Sequence, residues 1–367
     1  MRLLLEKRAE RSRRMIFLSP LIAVGLTLVT GAIIFALLDL NPLRALFVYF
    51  IEPLTNSWSI EQLIVKATPL ALIGAGLAIS FRANVWNIGA EGQLTAGAVL
   101  GGLVPVFFPQ WQSPLAFLFM ILLGVLGGMA WAAIPAALKN RFNANEILTS
   151  LMLVYVAQLI LDWLVRGPWR DPQGYNFPKT VSFSGWQLLP QFKLLPDSIG
   201  PIYINLGAIL AVAAALSLAF LMARTLKGFE IRVMGNSPRA GRFSGFSRAR
   251  TVWFCFLLAG GLAGLAGICE VMSTVGQLQP SISPGYGFTA IIVAFLGRLN
   301  PVGALVAALA LAISYLGGEG AQVALGVSDK IARVFQGILL FYILACDTLI
   351  LYRVKLLTNQ SAEASAA

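Results

Sequence analysis

Histidine is absent from the 367 residues, and only 12% of them are charged. The first absence removes His-centred triads, His-ligated metals and haem, and a His proton switch. Cys255, Cys269 and Cys346 stand in apolar surroundings at no metal-ligand or redox spacing, so they read as small buried hydrophobes. There is no G-x-x-x-x-G-K-[ST] loop to cradle the phosphates of ATP, so ATP hydrolysis is not expected of this chain. What is present is apolar. Hydrophobic residues make up 58% of the sequence and mean hydropathy is +0.79. Soluble domains hold about 45–50% apolar residues by a broader count and about a quarter charged, so the chain reads as a multi-spanning membrane protein.

Ten apolar runs approach the ~20 residues that a spanning helix needs. They are 16–38, 63–81, 88–108, 114–137, 147–165, 204–223, 252–272, 286–297, 301–318 and 331–352. The fold expected is an all-α integral membrane protein of about ten transmembrane helices. The basic segment 1–15 precedes an apolar run too long for a secretory signal, so that run reads as a retained first helix. The membrane domain is then 16–352 and the tail 353–367. With both termini in the cytoplasm, most of the 27 Lys and Arg residues fall in cytoplasmic segments. The net charge of +11 is therefore the positive-inside pattern of a multi-pass protein of the cytoplasmic membrane, and nucleic acid is not needed to explain it.

Two connections are long. The outer loop, about 166–203, carries six prolines together with Trp169, Tyr175, Phe177 and Trp186, and suits either a passive cap or a docking surface for an external partner. The inner loop, about 224–250, carries seven Arg or Lys against one Glu, punctuated by Gly228, Gly235, Gly241 and Gly245. Its Asn236-Ser237-Pro238 can start a short helix, because Pro is favoured at the first helical position after an Asn or Ser cap. A separate motor subunit could push on such a surface helix and tilt the spans behind it.

The third and eighth runs are weak. The segment NVWNIGAEGQ (84–93) enters the membrane zone with Asn87 and Glu91 on one helical face. An ionisable residue there is a functional candidate by default. The eighth run opens with QPSISPGYGF (279–288) before a short apolar stretch. If helices 2–5 and 7–10 form two halves of opposite orientation, these runs occupy matching places, which points to a transport path. Trp86, Asn87, Glu91, Ser281 and Tyr286 are the candidate path residues, the polar ones offering hydrogen bonds and the aromatic ones a ring face. Close packing of a helix bundle is the alternative. Elsewhere, Asp162 with Arg166 and Asp329 with Arg333 can pair at helix ends, Lys66 can snorkel, and Glu270 and Asp347 sit near ends. A carrier driven by an ion gradient would have Glu91 as its one candidate ion site. A membrane-embedded enzyme finds no nucleophile–base pair.

Four segments carry a resemblance. They are NVWNIGAEGQLTAGAVLGG (84–102), NEILTSLMLVYVA (145–157), LKGFEIRVMGNSPRAGRFSGFS (226–247) and SPGYGFTAIIVAFLGRLNPVGALVAAL (283–309). They resemble the ABC-importer permeases of the branched-chain amino acid and simple-sugar superfamily, and within it the subset for guanosine and other purine nucleosides. The resemblance implies a type II importer fold with helices 2–5 and 7–10 as an inverted repeat. It implies a cytoplasmic ABC ATPase, which would bind the ATP and Mg, and a second, related permease, so a heterodimer in the membrane lipid. An external binding protein of the basic-membrane-lipoprotein type would deliver the cargo. It also implies a coupling helix in the inner loop, here Gly235, Asn236, Arg239, Ala240, Arg242, Gly245 and Phe246, with Gly241 in place of an Ala and Phe246 in place of the usual Ile. A ribose-type permease remains the alternative cargo class, although its Asp-Leu-Ser-Val-Gly sequence at the third span is absent.

Overall fold

The computed structural model describes residues 2–7, 13–193, 202–328 and 330–357, and helices dominate them. Asp329, the tail beyond 357 and the side chain of Asp347 lie outside the described residues, as do parts of the basic N-terminus and of the outer loop. In chain order the elements are β1 (Arg2–Lys7), α1 (Arg13–Leu37), α2 (Pro42–Phe50), α3 (Ser57–Arg82), α4 (Ala90–Gly101), α5 (Leu103–Phe107), α6 (Pro114–Phe142) and α7 (Glu146–Arg166). There follow β2 (Gln191–Lys193), β3 (Tyr203–Asn205), α8 (Leu206–Arg224), α9 (Leu226–Asn236), α10 (Pro238–Phe243) and α11 (Arg248–Glu270). The last are α12 (Tyr286–Leu296), α13 (Pro301–Leu325), α14 (Ile331–Leu351) and β4 (Tyr352–Leu357).

Each of the ten apolar runs contains a helix. Among the described residues, six are long and apolar enough to cross a membrane: α3, α6, α7, α8, α13, and α11 with the π turn Val271–Val275 that extends it. The two weak runs come out short, as α4 followed by α5 and as α12. Helix α2, outside the ten runs, follows a cap and a proline: Asn41 accepts the amide protons of Leu43 and Arg44, and Pro42 holds the first position. Asn56, Asn145 and Asn205 cap α3, α7 and α8 in the same way.

The chain forms two compact units, residues 1–53 with 314–367, and residues 54–313. In the first, α1 packs on α14 and α2. The Tyr49 ring stacks on Phe335 at 4.8 Å, and the Tyr49 hydroxyl shares a 2.9 Å hydrogen bond with Ser314. Here β1 pairs antiparallel with β4, Arg2 opposite Leu357, so the two ends of the chain meet.

In the second unit α3 is buried along most of its length and touches α8, α11 and α12. Against α4 and α6, α11 packs backbone to backbone. A Cβ on Gly264 would press on Gly124, Gly128 and the helix behind them, so only glycine allows this approach. The outward faces of α6, α7 and α8 are apolar, with Leu118, Leu122, Leu159, Trp163, Leu216 and Phe220 exposed. Helices with satisfied backbones and an apolar exterior are what a bilayer accepts. The order long, broken, long, long recurs as α3, α4–α5, α6, α7 and as α11, α12, α13, α14. Each half's first long helix holds the other half's short one: α3 packs on α12, and α11 on α4.

Candidate functional site: the meeting of two broken spans

After α3 the chain turns at Asn84, whose φ of 57° lies in the left-handed region that Asn tolerates better than most residues. Residues 85–89 lead without regular structure into α4, whose cap is Gly89 with no side-chain hydrogen bond. Asn87, fully buried, supplies what the cap lacks. Its Oδ1 accepts the Gly89 amide at 3.1 Å and the Gln93 side-chain amide at 3.0 Å, and its Nδ2 donates to Gln93 Oε1 at 2.9 Å. The two carboxamides thus close a reciprocal pair that fixes the lead-in onto the first turn of the helix. On its other side this lead-in lies against α7. The Ile88 amide donates to Ser150 Oγ at 3.2 Å, and a Cβ on Gly89 would stand 2.7 Å from the Ser150 carbonyl. Gly89 serves helix packing.

The second broken span begins at Gly276, φ +67°, after the π turn. Ser283 Oγ accepts the amides of Gly285 and Tyr286 at 3.0 and 2.9 Å, which starts α12. Next to this start lies Glu91, 2% exposed. Its Oε2 accepts the Gly287 amide at 2.6 Å. Glu91 stands in the first turn of α4 and bonds in the first turn of α12, so one carboxylate faces the positive ends of two helices. The unpaired amides and dipoles there favour an anion, which lets a charge sit in the membrane zone. Gly287 is glycine because a Cβ would run into the Glu91 backbone.

Of the five candidate path residues, the structure brings Glu91 and Tyr286 to this junction; Asn87 lies before α4, bonded to Gly89 and Gln93, and so does not share a helical face with Glu91 as expected. Tyr286 is buried. Ser281 is exposed and its carbonyl accepts from Gln279 at 3.3 Å. Trp86 is half-buried: its indole donates to Asn84 Oδ1 at 2.9 Å, and its ring lies 5.2 Å from Phe81 and 6.3 Å from Phe295, with interplanar angles of 31° and 26°. Gln93, Gly287, Phe81 and Phe295 are partners that sequence reasoning did not single out. Gln93 stood in the quoted motif, but no periodicity links it to Asn87. Asp162 and Arg166 form the expected surface pair at 2.7 Å, and the three cysteines are buried and free. Lys66 is half-buried within electrostatic reach of Glu270.

Each broken span is gripped at its lead-in. In the basic loop, α10 begins at Pro238 as its Asn-Ser-Pro sequence requires. Arg239, Ala240 and Arg242 are exposed, with Asn236 before them, and Phe243 is 96% exposed. Gly241 is buried on Met234, Gly245 takes φ +83° in the turn that follows, and the Phe246 ring meets Phe229 edge-on at 6.1 Å. On α9, Gly235 lies against the Arg82 carbonyl, two residues before the Asn84 turn. Arg82 in turn donates to the Leu299 carbonyl at 3.3 Å, just past α12. The other lead-in is held by the loop between α7 and α8. Backbone amides of Thr180, Phe183 and Leu189 donate to the carbonyls of Leu278, Gly276 and Met272 at 3.0, 2.7 and 3.0 Å, and the Leu278 amide returns a bond to Thr180 Oγ1.

The sequence matches the family described as the branched-chain amino acid transport system permease component over residues 59–344, which contain both broken spans and both grips. The chain belongs to this permease family. A glucose ABC transporter permease of Haloferax volcanii is 36% identical over 92% of this chain and 89% of its own length. A nucleoside ABC transporter permease of Lactococcus lactis is 28% identical, covering 89% and 90%. A guanosine ABC transporter permease of Bacillus subtilis is 29% identical, covering 89% and 92%. The expected resemblance to ABC permeases is thus borne out, and the permease is a multi-pass membrane protein.

Proposed function

We propose that the permease moves purine nucleosides into the cell as one membrane subunit of an ABC importer. Its family and the transport systems named for its relatives support the importer, with an ATPase and a substrate-binding protein as partners. The nucleoside reading is carried by one observation, the half-buried Trp86 ring in near-parallel contact with Phe81 and Phe295 beside the first broken span. A flat aromatic surface favours a cargo with a base to stack, by about 1–3 kcal/mol per base. A bare sugar offers such a ring only its C–H face, without the π overlap of a base. The second reading, a simple sugar, is favoured by the 36% identical glucose permease. Uptake of labelled guanosine in whole cells tests the two: unlabelled adenosine should compete and glucose should not, and competition by glucose alone reverses the choice.

Coupling runs through α10. Arg239, Arg242 and Phe243 offer a cationic and aromatic knob of the kind that dominates protein interfaces. They stand one helix away from the Gly235–Arg82 contact that leads into residues 84–89. A closing ATPase pushes on α10, and α9 passes the shift to the first broken span. ATP and Mg stay on the ATPase. The path opens beside the Glu91 junction, with Trp86, Ser281 and Tyr286 at its margins, while Asn87 and Glu91 hold the two short helices in register. Residues 224–250 face the cytoplasm in this scheme, by their positive charge. The β1–β4 pairing supports placing both termini on one side of the membrane. The complex is completed by a related second permease and an external binding lipoprotein. In the reconstituted importer, Phe243→Ala with Arg242→Ala should cut uptake at least about tenfold while ATP hydrolysis persists. Normal uptake would remove α10 from the coupling route.

A further inference from the structure

Between α6 and α11 runs a groove of about 400 Å³ that none of the steps above uses. Val125 and Met129 form one wall, and Phe254, Leu258, Gly261 and Leu265 the other. The four α11 residues follow helical spacing and make one stripe. From Phe254 to Leu265 the helix rises about 16 Å. That is half of the ~30 Å hydrocarbon core, so the groove has the depth of a single leaflet. Its floor exists because Gly261 has no side chain, and a Cβ there would stand 3.1 Å from Met129 Cγ.

The groove is capped by charge at one end only. Lys227 Nζ lies 5.0 Å above the Phe254 ring, and also pairs with Glu230 at 3.0 Å. Arg250 is exposed one helical turn before Phe254, on the same stripe. This end belongs to the basic loop. A trench with the length of one leaflet and cations at its mouth matches a lipid with an acyl chain and a negative headgroup. We propose that the α6–α11 groove binds one anionic phospholipid, its acyl chain along Phe254–Leu265 and its phosphate between Arg250 and Lys227. Within the bilayer no hydrophobic force closes such a trench, and the chain's van der Waals contacts fill it. The site is independent of the cargo; the proposed orientation only names its leaflet as the cytoplasmic one.

The test uses the full-length chain with whatever subunits purify with it. It is offered equal amounts of dioleoylphosphatidylglycerol and dioleoylphosphatidylcholine, and retained lipid is read by native mass spectrometry. Phosphatidylglycerol should be retained preferentially, and Arg250→Gln, on an exposed side chain, should lower that preference about fivefold. Leu258→Phe, which fills the trench, should lower retention of both lipids while gel filtration shows an intact particle. Equal retention of the two lipids by the unaltered chain would overturn the headgroup site, and unchanged retention in Leu258→Phe would overturn the groove. A disulfide between Leu258→Cys and a cysteine on a second permease would show that protein covers the groove, and would overturn the proposal as well.

Discussion

The two broken spans occupy equivalent places in the halves of the permease, yet they are started by different means. The first is started by groups of its own half, with Ser150 of α7 meeting the Ile88 amide. Asn87 and Gln93, both within 84–101, satisfy each other and the Gly89 amide. The second depends on a group from the opposite half, because the amide of Gly287 is met by Glu91. Symmetry of topology therefore does not extend to the chemistry of the junction. One half brings a charge, and the other brings a helix start whose own Ser283 meets the Gly285 and Tyr286 amides and leaves that of Gly287 to Glu91.

Removing Glu91 is the strongest way to break this relation. Glu91→Ala leaves a buried amide without its anion, and hydrogen bonds to charged groups contribute about 1.5–3 kcal/mol. The variant should lose most uptake and should melt well below the parent in a detergent thermal ramp. Unchanged melting would mean that α4 and α12 are held together by other contacts. Gly287→Ala tests the same joint from the other side. Its methyl would force α12 off the Glu91 backbone, and overpacking of this kind costs about 1–3 kcal/mol. If it melts like the parent, the close approach is dispensable. Asn87→Ala should have a smaller effect, about 1–2 kcal/mol, because the three hydrogen bonds lost are all between neutral groups. The diagnostic is a double-mutant cycle with Gln93→Ala. The pair should be strongly non-additive, and strict additivity would deny that the two side chains act together. Ser283→Ala should be mildest, about 0.5–1 kcal/mol for a lost cap. A larger loss there than at Glu91 would invert the comparison.

Local patterns carried much of this arrangement. Apolar run length placed the long helices, glycine and proline interruptions marked the two spans that break, and Asn236-Ser237-Pro238 announced α10. Helix α2 escaped because nine residues, Arg44 among them, are too few to read as a span, although Asn41-Pro42 is a legible start signal. At the junction the residue types were legible and their partners were not. Glu91 reads as a functional candidate from its place in the membrane zone, but its partner is a backbone amide 196 positions away. No side-chain pattern encodes that. The same holds for the bonds of the loop between α7 and α8, which join main-chain atoms far apart in sequence. Phe243 was passed over because one exposed aromatic among arginines has no periodicity to flag it.

Those main-chain bonds have an evolutionary corollary. Three of the five hydrogen bonds that tether residues 180–189 to residues 272–278 use no side chain at all. Mutation can therefore rewrite most of the surface that this loop presents while the linkage beneath is inherited intact. The side chains that take part are those of Thr180, and of Ser182 with Gln277, and these are held to their identity by the tether.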